Sequence, residues 1–491
     1  MASTEPAKRQ QKEQAVSSGS FYWYDLETTG TDPRWDRVIQ FAGMRTDLAL
    51  NPIGEPHSIY VRLADDVLPN PAATLVTGIT PQQANAEGVS EWEALEQIHE
   101  LLSQPGTCAL GYNSLRFDDE FLRYGFYRNL QDPYAREYAN GNSRWDLIDL
   151  VRGTGALRRD GIEWPRDEDD LPVYKLEALS AANGIEHGNA HDALSDVRAT
   201  LGLAQLIRKH QPRLFDYHYE QRRKNKVRKL LEPIGARLCV HVTAMYPRAR
   251  YGCAPVVSVC RHPTNSNAII VADLSQDVEP LLDLSEDEIY SALFGKDPAA
   301  RPGLKEVRLN RCPFIAGIEV LTAENYERLG FREKEIKERA RRLAKPGISD
   351  KLMRVYGRRR AQLEAANPVT DVDGALYGGF FRDADRHRCQ DFRSRLGGGE
   401  FARLDYDDAR LATLAERARA RSFPELLDDA GRSDWQAHVR ERLGATDAPW
   451  LTLAAFRERL AELRETAPDR ADLLDALAAH GDAVAARYGL S

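Results

Sequence analysis

The chain has 491 residues, 42% of them hydrophobic and 29% charged, with a formal net charge of -8. That length exceeds one ordinary domain, and the apolar share is ample for several packed cores. The acidic balance argues against a uniformly basic nucleic-acid coat but leaves room for one local basic groove.

Met1 to Ser20 is polar, rich in Gln, Lys, Glu and Ser, and lacks the apolar core of a signal peptide. No later stretch is apolar for long enough to span a bilayer. The expectation is a disordered tail over residues 1–20 on a cytoplasmic protein with no membrane contact. The six cysteines, Cys108, Cys239, Cys253, Cys260, Cys312 and Cys389, are scattered without a Cys-x-x-Cys pair. Neither a structural zinc site nor a disulfide framework is indicated, so free thiols are expected.

The stretch Phe21 to Gly30 opens on an aromatic, strand-favouring run, read as a first strand, that ends in the two carboxylates Asp25 and Glu27, followed by Thr28, Thr29 and Gly30. Val38–Thr46 is a plausible second strand and Ser58–Arg62 a third, with turn residues Asn51, Pro52 and Gly54 dividing them. Glu91–Leu102 has helical periodicity, with Trp92, Leu95, Ile98, His99 and Leu102 on one face. Thr107–Asn113 is a short buried-strand candidate that leads into a helical Phe117–Leu122, and Ala193 to Ile207 supports a later helix. Strands followed by helices in this order point to a sheet covered by helices, with a site where strand ends meet helix starts.

After Gln211-Pro212 the texture changes. The basic run Arg222 to Lys229 reads as a solvated helix face. Leu238–Val242, Val256–Val259 and Ala268–Ala272 are short β-rich pieces between turns, the spacing of a small barrel or sandwich. Charged helices resume near Thr322, and beyond Pro368 the chain is nearly all helical, broken at Gly397-Gly398-Gly399. The expected organisation is the tail 1–20 and three domains, 21–212, 213–366 and 367–491.

Residues two apart on a strand share a face, so Asp25 and Glu27 would hold their carboxylates side by side. Such a pair is costly unless a cation lies between them, and hard cations such as Mg²⁺ or Mn²⁺ suit an all-oxygen site. Asp118, at a strand-to-helix transition, is a further candidate, although an acidic helix N-terminus is also favoured by the macrodipole alone. His191 and Asp196 are five positions apart, roughly 140° around one ideal helix. They converge if His191 lies on the preceding loop and Asp196 in the first helical turns.

Together these segments resemble the DEDDh exonuclease superfamily, and more closely bacterial exonuclease I. The likeness rests on Asp25-Leu26-Glu27-Thr28, Leu75 to Pro81, Gly111-Tyr112-Asn113 with Arg116 to Glu120, Ser143 to Leu147, and Ala182 to Asp196. It continues through Asn310-Arg311-Cys312-Pro313 and Leu376 to Arg386, and so spans Phe21 to the C-terminus. The resemblance implies a ribonuclease H-like exonuclease domain with a mixed sheet flanked by helices, then an SH3-like β-barrel domain and an α-helical C-terminal domain.

It further implies a processive 3′→5′ exonuclease that degrades single-stranded DNA to 5′-mononucleotides by two-metal-ion hydrolysis, in repair and recombination. Asp25, Glu27, Asp118 and Asp196 would hold two Mg²⁺, with Mn²⁺ able to substitute, and His191 would be the general base. Glu27, Thr28 and Lys175 would contact the terminal nucleotide. Arg123, Tyr134 and Arg152 would contact the strand, where arginines neutralise phosphates and a ring stacks a base. Arg158 and Tyr217 would form a pocket for the acidic C-terminal tail of single-stranded-DNA-binding protein. The protein is expected to be a monomer. Two other readings stay open. One is an RNA-trimming relative, separable by matched DNA and RNA oligonucleotides. The other is a binding scaffold with a degenerate nuclease core, separable by binding of a 3′ end without nucleotide release.

Overall fold

The computed structural model describes residues 19–188, 192–297, 301–366 and 371–490, and the side chains of 360–366 are outside that description. The chain forms two compact units: one from the described residues of 1–143, 188–198 and 369–491, the other from those of 144–187 and 199–368.

The first unit is built on a mixed sheet. Strand β1 (Ser20–Thr28) pairs antiparallel with β2 (Val38–Thr46), which pairs antiparallel with β3 (Pro52–Tyr60). On its other side β1 pairs parallel with β4 (Thr107–Gly111), with Trp23 opposite Leu110. Within the unit the sheet order is β3-β2-β1-β4, and the short strand β5 (Ser143–Asp146) starts at the last residue of the unit's first segment. Eight of the nine residues of β1 are buried, which its aromatic run predicts. Tyr22, Tyr24, Phe41 and Ala109 share a core with Leu95, Ile98 and Leu102 of the helix Glu91–Leu102 and with Phe121, Leu122 and Phe126 of the helix Asp118–Arg128.

The expected turn at Asn51-Pro52-Gly54 is displaced. The chain reverses over Asp47–Asn51, where Leu50 has φ 73° and Asn51 donates its backbone N–H and side-chain amide to the Asp47 carboxylate. Pro52 and Gly54 already belong to β3, and β3 ends at Tyr60 rather than Arg62. Pro52 lies opposite Thr46 on an edge strand, the one part of a sheet where a missing N–H is tolerated.

The C-terminal helices pack into this same unit. Trp92 meets Phe392 and Phe423 edge-on. Leu68 is buried with Val439, Leu443, Leu453, Phe456, Leu474 and Leu477. A buried ionic network ties the segments further: Arg421 pairs with Asp66 at 2.6 Å and with Asp373 at 2.5 Å, and Arg37 pairs with Asp373 at 3.1 Å.

The second unit contains five antiparallel strands in the order β10-β6-β7-β8-β9: β6 (Leu238–Val242), β7 (Cys253–Arg261), β8 (Ala268–Asp273), β9 (Leu304–Arg308) and β10 (Phe314–Gly317). Side chains alternate between two cores. Val240, Val242, Val257, Val259, Ile270 and Ala272 face one, and Cys239, Val256, Ile269, Val271 and Ile315 the other. Period-two burial on both faces is what a small sheet covered on each side requires. Lys224 to Lys229 of the basic run fall on the helix Lys224–Leu231, which buries only Val227 and Leu231, while Arg222 and Arg223 precede it. All six cysteines are free and buried. Among the described residues no helix is long and apolar enough to cross a membrane.

Candidate active site at the end of the first strand

Strand β1 carries Asp25 half-buried and Glu27 buried, on one face as the i, i+2 spacing dictates. The β1–β2 register slips between Glu27 and Thr28, so that Glu27 lies opposite Gln40 and Thr28 opposite Val38. A bulge of this kind turns the following residues out of the sheet. Thr28 Oγ1 then donates to the Gly30 carbonyl at 2.7 Å. A β-carbon on Gly30 would collide with the Asp36 carboxylate at 2.3 Å, so the turn needs glycine there.

Asp196 comes from the first turn of the helix Ala193–His210. One carboxylate oxygen each of Asp25, Glu27 and Asp196 lie within 4.8 Å of one another. Asp118, the first residue of its helix, is 3% exposed, and its Oδ1 accepts the backbone N–H of Leu26 at 3.0 Å. That bond fixes the fourth carboxylate to the strand segment between Asp25 and Glu27.

The electrostatics follow from this crowding. Burial, then the charges of Asp118 and Asp196, hold the Asp25 carboxyl well above the usual carboxylate range. Burial, then Asp25, Asp196 and Asp192, push Glu27 up to about 9. Carboxylates packed this closely, with oxygen the only donor type, fit hard divalent cations, which would return the groups to their ionised form.

Two supports lie behind the site. Asp119, fully buried, accepts from Tyr24 Oη at 2.7 Å and from Arg136 Nη2 at 2.6 Å, which locks the start of the Asp118 helix against β1. Thr29 is gripped from two sides: it donates its N–H to the Arg37 carbonyl at 2.8 Å, and its carbonyl accepts the Asn70 N–H at 2.7 Å. Arg37 returns its own N–H to Thr29 Oγ1 at 2.9 Å, while its guanidinium is the one paired with Asp373. Burial alone would raise the Asp373 carboxyl, but Arg421, Arg417, Arg37 and Arg442 together hold it well below the usual range. Sequence reasoning missed these supports. Nothing local marks Arg37 and Asp373 as partners 336 residues apart.

The remaining predicted residues fall as follows. His191 lies outside the described residues. Arg123 is only 8% exposed, and its guanidinium is held by Glu137 at 2.7 Å and Glu120 at 2.8 Å while it lies over the Tyr134 ring. Its charge is therefore balanced by these two carboxylates. Tyr134 is half-buried and meets Phe380, whose ring is 82% exposed. Tyr377 donates its hydroxyl to Glu120 on the same side.

In the second unit, Lys175 is exposed just before the helix Leu176–Ala182, and Arg152 is half-buried with Asp149 at 3.4 Å. Arg158 donates to the carbonyls of Leu157 at 2.7 Å and Val320 at 2.9 Å. Tyr217 donates to the Ile315 carbonyl at 2.9 Å. Arg158 and Tyr217 thus both reach the 315–320 segment.

Three family models match the chain in succession: Exonuclease over residues 22–204, Exonuclease I SH3-like domain over 222–358 and Exonuclease I C-terminal domain over 370–484. The chain is 42% identical to exodeoxyribonuclease I of Escherichia coli strain K12 over 430 residues, 86% of this chain and 89% of that protein. It superimposes on the crystal structure of E. coli exonuclease I in complex with a dA16 oligonucleotide with a TM-score of 0.88 at 38% identity, covering 95% of this chain and 100% of that one. A crystal structure of SSB/exonuclease I in complex with the inhibitor CFAM matches with a TM-score of 0.85 at 38% identity, over 95% and 100% of the two chains.

Proposed function

The chain belongs to the exodeoxyribonuclease I family, and from that premise we propose that it degrades single-stranded DNA processively from the 3′ end to 5′-mononucleotides, in DNA repair and recombination. The observation that carries the reading is the carboxylate group of Asp25, Glu27 and Asp196 at the end of β1, with Asp118 fixed to the Leu26 N–H. Asp25, Glu27, Asp118 and Asp196 would hold two Mg²⁺, for which Mn²⁺ would substitute. When bound, such ions supply an activated water and neutralise charge on the departing 3′-oxygen.

The chain's own residues do the rest. His191 takes the proton of the attacking water on an imidazole nitrogen, a role that imidazole chemistry suits. The water oxygen bonds to phosphorus as the P–O3′ bond breaks, which leaves a new 3′-hydroxyl and frees a 5′-mononucleotide. Glu27, Thr28 and Lys175 orient the terminal nucleotide, so the reacting phosphate is held in line. Arg152 meets a backbone phosphate, and Tyr134, with the exposed Phe380 beside it, stacks a base without reading its identity. Arg123 acts on the strand only if the DNA displaces Glu120 or Glu137 from it.

We assign domain limits of 21–212, 213–366 and 367–491, with Ser20, the last residue of the expected tail, already paired in β1 opposite Thr107. The protein acts as a cytoplasmic monomer. Arg158 and Tyr217 receive the acidic C-terminal tail of single-stranded-DNA-binding protein, a reading supported by the solved SSB complex of a relative.

End-labelled strands test the reading. In Mg²⁺ a 3′ label on single-stranded DNA should appear directly as mononucleotide, a 5′ label should appear last, and RNA of the same sequence should persist. Release from the 5′ end, or RNA cut as fast as DNA, would overturn it.

A further inference from the structure

The second unit holds a concentration of positive charge that the proposed reaction does not use. Three guanidinium groups gather on the phenol of Tyr251. Arg159 Nη1 donates to its hydroxyl oxygen at 2.8 Å, Arg166 Nη2 donates to the same oxygen, and Arg328 lies over the ring 4.6 Å from its centroid. Tyr251 ends the turn Arg248–Arg250 with φ 55°, a left-handed backbone that tyrosine seldom adopts, and its N–H donates to the Arg248 carbonyl at 2.8 Å. Strained non-glycine positions of this kind concentrate at binding sites.

The charges do not balance. Asp170 pairs with Arg166 at 2.8 Å, but that carboxylate is itself largely solvent-exposed and screened. Among the described residues no carboxylate lies within 4 Å of Arg159 or Arg328. The nearby acids are taken, Asp167 by Arg248 and Asp273 by Arg250 at 3.2 Å. A phenol oxygen accepts hydrogen bonds yet brings no countercharge. Three guanidinium groups thus share one exposed carboxylate around a neutral phenol, in a protein whose net charge is -8. Like charges held together in this way call for an anion.

We propose that Arg159 and Arg166 form a phosphate seat for a single DNA strand, separate from the carboxylate site, with Tyr251 and Arg328 as its backing. The proposal rests on the single-stranded-DNA reading given above. A phosphodiester fits better than a peptide carboxylate because the cations alternate with rings: Trp164 donates to the Arg159 carbonyl at 3.1 Å and meets Tyr174 edge-on. Basic groups interleaved with aromatic ones are the pattern of single-strand binding surfaces. Arg152 and Lys175, assigned above to the strand, belong to the same 144–187 segment. The guanidinium fork matches two phosphate oxygens at once.

The test is equilibrium binding of fluorescein-labelled dT20 by anisotropy, in EDTA so that nothing is cut, across a range of salt concentrations. It compares the wild type, the double variant Arg159→Ala/Arg166→Ala and the single variant Arg166→Glu, which alters an exposed side chain and leaves Arg159 in place. Losing two phosphate contacts should flatten the slope of log K against log salt by about 1.4 in the double variant, at roughly 0.7 per contact for single strands. Arg166→Glu should flatten it by at least half as much. Melting temperatures of the variants should stay at the wild-type value. An unchanged slope in both variants overturns the proposal. So does a loss of binding to an Asp/Glu-rich peptide with the DNA slope intact, which would make this a peptide site. If the wild type itself fails to bind dT20, the single-stranded-DNA reading falls, a result distinct from a wild type that binds with variants of equal slope.

Discussion

Replacing Glu27 by Gln should stabilise the metal-free protein, and the effect should grow with pH. Glu27 has its carboxyl pushed from 4.5 up to about 9 by burial and by Asp25, Asp196 and Asp192. Between those two values the native state holds a proton that the unfolded chain has released. Stability is therefore lost as pH rises, by about 1.36 kcal/mol per pH unit for one proton. From pH 6 to pH 8 the wild type should lose ~3 kcal/mol from this group, a loss that Glu27→Gln cannot suffer. Urea unfolding in EDTA at pH 6, 7 and 8 measures the two curves. Saturating Mg²⁺ should reverse the ranking, because only the wild type gains the full binding free energy of the ions. Parallel curves in EDTA, or a variant that is the less stable of the two at pH 8 without metal, would refute the reasoning.

Other perturbations follow from the same geometry. Asp373→Asn leaves Arg37, Arg417 and Arg421 facing a neutral amide in a buried site, and should cost about 3–5 kcal/mol in a urea titration. Tyr24→Phe deletes one buried donor to the Asp119 carboxylate and should cost about 1.5–3 kcal/mol by the same assay. Phe380→Ala removes a ring that is already exposed, so unfolding should shift by less than about 0.5 kcal/mol. Its affinity for single-stranded DNA, read by anisotropy without metal, should nonetheless weaken by about 1–3 kcal/mol.

Much of this arrangement was legible in the residues because its signals are local. The helix Glu91–Leu102 and the strands Val38–Thr46 and Leu238–Val242 have the predicted limits, and the aromatic run of β1 is a strand that begins one residue earlier than expected, at Ser20. The carboxylate pair was legible from the period of a strand, and Asp196 from its place at a helix start. Pro52 and Gly54 misled because each is a turn former by propensity, whereas an edge strand tolerates both and Asp47 supplied the turn chemistry instead. Strands β9 and β10 carried too little pattern: Leu304–Arg308 sets two apolar residues among three charged ones, and Phe314–Gly317 is four residues long. The supports of the site were illegible for a different reason. Arg421 meets Asp66 across 355 residues of chain, and an arginine in a helix reads as surface until the fold buries it. The pairing of Arg123 with Glu137 was illegible for the same reason, because Glu137 stands fourteen residues away and outside its helix.

The central claim is that the carboxylates at the end of β1 are the hydrolytic site. Its most direct test is single-turnover release of a 3′-terminal nucleotide in Mg²⁺ by wild type and Asp25→Asn, with DNA affinity measured on the same samples. The account predicts that the variant binds the strand and releases no mononucleotide. Release at the wild-type rate by a folded Asp25→Asn protein would contradict it.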